Sequence, residues 1–145
     1  PNAEEDSIYN GADDNASGTA ALIELAKYFK KNRPEHLMIF AALDGEEMGL
    51  QDAKALIKNF PFPMEQMVLN INMDMISRNE KGELYASGTY YNPSLKIILE
   101  KTAAESTPKL LFGHDEPNTG RNNWTQSSDQ GPYFSANVPH LYSGV

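Results

Sequence analysis

Apolar residues in this chain recur first at helical spacing and then in short unbroken runs, and the two patterns alternate. Asn15-Ala16-Ser17-Gly18 leads into Thr19 to Lys31, where Ala20, Leu22, Ile23, Leu25, Ala26 and Phe29 share one side of a helix. Lys30-Lys31 sit in its last turn and Pro34 closes it. His36 to Leu43 (HLMIFAAL) is a continuous apolar run of strand length, which predicts a strand covered on both faces. A second helix is predicted from about Gly49 to Phe60, stopped by Pro61 and Pro63.

Met67 to Ile76 (MVLNINMDMI) predicts the next strand, with Leu84 to Ser87 pairing beside it, and Pro93 to Glu105 is patterned as an amphipathic helix. From Phe112 to Gln130 the chain is polar and rich in Gly, Asn, Asp and Ser, which predicts a long loop anchored by Trp124. Asp129 to Asn137 reads as a last helix and Val138 to Tyr142 as a last strand. Alternating helices and strands predict an α/β fold: three layers, with helices flanking a mixed, mostly parallel sheet.

Composition narrows the chemistry. The 145 residues suffice for one domain with a single core. A net charge of −8 repels phosphate backbones, so nucleic acid is not an expected partner. With no cysteine, any metal must be held by oxygen or imidazole. No apolar run reaches the length of a membrane span.

The acidic residues are not scattered. Asp13-Asp14, Asp44-Gly45-Glu46-Glu47 and Asn72-Met73-Asp74 stand at the ends of three successive apolar segments. In open α/β sheets the ligand site lies outside the carboxyl ends of the strands. Carboxylates gathered there repel one another unless they share a divalent cation. Asp13, Asp14, Asn15 and Ser17 also suit helix capping, whereas Asp74, inside an apolar strand, is costly unless paired or metal-bound. Glu46 and Glu47, adjacent on a loop, point in different directions, so one can hold a metal while the other takes a proton.

Four segments in order, GADDNASG, DGEEMGL, NMDMISR and SDQGPYF with VPHLYSG, resemble the co-catalytic zinc aminopeptidases, whose relatives include glutamate carboxypeptidases and glutaminyl cyclases. The resemblance implies a zinc-exopeptidase-like fold and a parent protein that hydrolyses a terminal peptide bond of a peptide substrate. It implies Asp14 as the carboxylate bridging two zinc ions, Glu47 and Asp74 as ligands of one ion each, and Glu46 as general base. Asp13, Asp129, Gln130 and Tyr142 are candidates for supporting or substrate contacts. Trp124, Tyr133 and Tyr142 are placed either in a substrate pocket or in the core. A periplasmic or extracellular location also follows from the resemblance alone.

The family completes each zinc site with a histidine, one in a His-x-Asp segment before GADDNASG and one after the last strand. Neither stands in residues 1–145, and His36, His114 and His140 match no ligand position. The chain is therefore expected to be one domain truncated at both ends, binding zinc weakly and having little activity by itself. The family also commonly has His where this chain has Gln130. Two alternatives stay open: a non-catalytic, receptor-like binding module, against which the retained acids speak, and a glutaminyl cyclase, which would use one zinc and lack GADDNASG.

Overall fold

In the computed structural model, residues 10–145 are described. Among them four α-helices, α1 (Ala16–Lys31), α2 (Gln51–Lys58), α3 (Pro93–Glu105) and α4 (Gln130–Ser135), accompany four short strands, β1 (Asn70–Met73), β2 (Glu83–Ser87), β3 (Lys109–Phe112) and β4 (His140–Gly144). The strand order is β1-β4-β2-β3. β1 runs parallel to β4 and β2 parallel to β3, while β2 and β4 are antiparallel. The result is an α/β sandwich on a mixed, mostly parallel sheet.

Local chemistry sets the helix boundaries. The Asn15 side chain accepts a hydrogen bond from Gly18 N and so caps α1, whose last turn carries Lys30 and Lys31 against the helix dipole. Pro93 starts α3, where its missing N–H costs nothing. The core gathers Ala53 of α2, Tyr133 of α4 and Val138, with Leu43, Ile57, Met64 and Met67 packed against them.

Three expectations are corrected. Residues 36–43 form no strand: they make no backbone hydrogen bond among the described residues, and Leu37 is 73% and Ile39 46% exposed. A cleft of about 250 Å³ separates Ala41, Ala42 and Leu43 from Ile71 and Met73 of β1. Instead of joining the sheet, the run lies on α1, where Phe29 and Phe40 meet at 6.4 Å. Second, Leu84–Ser87 does not pair beside the Met67–Ile76 segment, because β4 returns from the end of the chain and inserts between them. Third, β3 pairs with β2 just ahead of the polar loop, where no strand was expected.

Candidate metal centre

Two connections meet at the carboxyl end of β1. The loop 10–15 enters α1, and residues 74–77 leave β1; the first is stitched to the second by side chains from three alternate positions. Asp13 Oδ1 accepts from the Ser77 amide (3.1 Å) and from the Ser77 hydroxyl. Asn15 Nδ2 donates to the Met73 carbonyl (3.0 Å), and Ser17 Oγ donates to Asp13 O (2.7 Å) while accepting from Ile76 N (3.1 Å). Gly18 is buried where a Cβ would collide with the Met73 carbonyl, so only glycine permits this approach. These bonds consume Asp13 and leave Asp14 exposed, with the peptide bond that follows it cis.

Asp74, one residue past β1, is fixed from the far end of the chain. Ser128 Oγ donates to Asp74 Oδ2 (2.7 Å) and itself accepts from Asn72 Nδ2 (2.9 Å). Asn72 Nδ2 also reaches Gln130 Oε1 (2.9 Å), and Gln130 Nε2 donates to the Trp124 carbonyl. Gln130 is fully buried. It is a strut between β1 and the loop, with no surface left for a substrate. Tyr142 is buried too, and its hydroxyl donates a long bond (3.4 Å) to Asp74 O.

Electrostatics tie the acids together. Burial raises the Glu46 pKa, and the charges of Glu47, Asp74, Asp129 and Asp14 raise it further. Asp74 is raised by burial, opposed by the Ser128 hydrogen bond, with Asp14 and Asp13 adding to the rise. Asp129 is raised by burial, then by Asp74 and Asp52. The Tyr142 hydroxyl is driven up by burial and by the same carboxylates. Asp13, Asp14, Glu47, Asp74 and Asp129 thus each raise the pKa of another acid of the predicted set.

Asp74 Oδ1 and Asp129 Oδ1 are buried and have no hydrogen-bond partner among the described residues. Buried carboxylate oxygens ordinarily find a partner, and hard oxygen donors with clustered negative charge suit a divalent cation. The donor chemistry therefore fits a metal, although among the described residues no three His, Asp or Glu side chains are arranged to hold one ion. Sequence reasoning read Asn15 and Ser17 only as capping residues and Asn72 only as part of a motif, and missed the bonds that these residues, Ser77 and Ser128 make around the acids. Their signal is weak: each is an ordinary turn or strand residue until the partner 54 to 64 positions away is known.

A family model described as Peptidase family M28 matches residues 2–143. A probable zinc metalloprotease of Pyrenophora teres f. teres (strain 0-1) is 32% identical over 117 residues, covering 77% of this chain and 24% of that protein. Another, of Phaeosphaeria nodorum, is 31% identical over 114 residues, 75% of this chain and 22% of that protein. Aminopeptidase YwaD of Bacillus subtilis (strain 168) is 27% identical over 131 residues, 88% of this chain and 27% of that protein. The chain spans about a quarter of the length of the curated relatives it matches.

Proposed function

The chain belongs to peptidase family M28, and from that premise we propose that it carries the carboxylate part of the active site of a metal-dependent exopeptidase, an aminopeptidase acting on peptides. The relatives named as zinc metalloproteases support zinc as the metal. Asp14, Glu47 and Asp74 would hold it, with two ions as the full complement. Bound there, zinc would polarise the scissile carbonyl and acidify a water molecule.

The chain's own residues supply the rest. Glu46 takes the proton from the attacking water and passes it to the leaving amine. Its burial and its acidic neighbours raise its pKa, which brings the carboxylate closer to the pH at which it works as a proton shuttle. Asp13 keeps the loop carrying Asp14 in place through Ser77. Asp129 adds negative charge beside Asp74, and the shared field favours a substrate presenting a free amine. In keeping with the family resemblance, the parent protein is assigned to the periplasm or the extracellular space.

One observation carries the reading: Asp74 Oδ1 is buried beside other acids and lacks a partner among the described residues. Zinc calorimetry tests it. Asp74→Asn should abolish the binding heat, while Glu46→Gln should keep it and lower kcat of the parent enzyme by about 10²–10⁴-fold. Zinc binding untouched by Asp74→Asn would sink the assignment.

A further inference from the structure

In α2 the sequence sets Ala53 and Ile57, then Lys54 and Lys58, four residues apart, so the helix carries an apolar row beside a basic one. Ala53 goes into the core against Tyr133 of α4. Beside that contact a cleft of about 400 Å³ opens between the two helices, a size that holds a small ligand, and none of the predicted acids lines it. Leu50, Ile57 and Pro132 give it an apolar side, and all three are only part-buried. Leu50 holds a left-handed conformation at φ 60° as the residue before α2, which costs energy in a side chain with a Cβ and persists only where the surroundings enforce it. On the opposite wall, a Cβ at Gly131 would lie 3.1 Å from the Gln126 Cα, so the loop and α4 are pressed together there.

The polar lining has a definite sign. Lys54 and Lys58 both border the cleft and are exposed, and among the described residues neither forms an ion pair with a carboxylate. Lys54 Nζ donates to the Gly49 carbonyl (2.7 Å), which fixes its position and leaves further donor capacity. In a chain of net charge −8, two neighbouring ammonium groups without an acid reverse the local sign and suit an anion. The side-chain amide of Gln126 lines the same cleft with no hydrogen bond among the described residues, and Ser135 Oγ, which donates to Gly131 O (3.0 Å), can still accept one. These two groups match the C=O and N–H of a peptide unit.

We propose that the α2–α4 cleft binds the carboxyl-terminal end of a peptide, with the terminal carboxylate at Lys54 and Lys58 and an apolar last side chain against Leu50, Ile57 and Pro132. Gln126 and Ser135 pair with the last peptide group, a use that a free fatty acid would not make of them. The site is independent of the peptidase reading, because it uses no metal and no acid.

Calorimetry on the 145-residue chain in EDTA, which keeps divalent ions out of the acidic set, tests the assignment with N-acetyl-alanyl-leucine. Saturable binding of one peptide per chain is expected. The same peptide with its carboxylate amidated should bind at least about tenfold more weakly, having lost the charge-assisted bonds, and N-acetyl-alanyl-glycine should lose as much with its apolar contact. Lys54→Gln with Lys58→Gln should abolish binding, the corresponding pair of Arg substitutions should keep most of it, and Lys96→Gln, on α3, should leave it unchanged, with far-UV circular dichroism confirming that each variant is folded. Absence of binding, equal binding of acid and amide, or binding that survives the double Gln variant overturns the site. Octanoate bound as tightly as the peptide overturns the peptide assignment in favour of a free fatty acid.

Discussion

Adjacent residues of like charge can have opposite jobs, and Asp13 and Asp14 show it. Asp13 accepts two hydrogen bonds from Ser77, and removing it leaves that amide and hydroxyl unpaired. Asp13→Ala should cost about 1–2 kcal/mol of stability, whereas Asp14→Ala, exposed and outside these bonds, should leave the thermal midpoint unchanged. Equal losses in a melting comparison would refute this division. Asp74 behaves differently again. Burial and neighbouring acids disfavour its charge, so in the absence of divalent ions Asp74→Asn should raise the midpoint at pH 7; a lowered midpoint would mean the carboxylate is already well compensated. The acidic clusters stood out in the sequence because Asp13-Asp14 precede an apolar segment, Glu46-Glu47 follow one and Asp74 lies near the end of another. What held them was not, because a hydroxyl such as that of Ser128 gains its role only from a partner that the fold brings close.

Among elements, the helices were read best. α1 and α3 carry caps or a leading proline and a pattern long enough to be unambiguous. Strands fared worse for a physical reason: their identity depends on neighbours. β3 has four residues, too few to show alternation, and β4 takes the place beside β1 through a connection that local sequence does not announce. The link between β2 and α3 depends on one carboxylate. Asp115, buried after β3, accepts from Gly88 N and Tyr90 N, each at 2.8 Å, and from the Thr89 hydroxyl. Stripping that group leaves two amides without partners, and Asp115→Ala is expected to cost about 2–3 kcal/mol in urea unfolding. Asp115→Asn, which retains one acceptor oxygen, should recover part of the loss.

For the molecule as a whole, pH acts through burial. His140 is buried with Nε2 unpartnered among the described residues, and burial lowers its pKa below the ordinary 6.5, against smaller opposing effects from the Val138 backbone and Asp115. The unfolded chain binds that proton more readily, so the stability tied to neutral His140 is complete above pH 6.5 and is lost as the pH falls through the folded value. Glu46, Asp74 and Asp129 shift upward, so they act with the opposite sign: their contribution is present at acid pH and lost as the pH rises through their folded values. Melting curves from pH 7.5 down to 5 should therefore show a step that His140→Phe removes; an unchanged step would point to other groups.

The segment 36–43 also decides how the molecule meets a protease. Proteases bind their targets as extended chain whose backbone is free to pair, and residues 36–43 offer that form, lying outside every helix and strand with Leu37 and Phe40 exposed to solvent. Chymotrypsin should nick there first, after Leu37 or Phe40, and before any cut within β1 to β4. The break would separate α1, with its Asp13 and Asn15 anchors, from the polypeptide bearing Glu46, Glu47 and Asp74. A clipped preparation would then hold together only by the stitches around Ser77 and Met73, and the persistence of a two-piece complex after cleavage would measure the strength of those stitches.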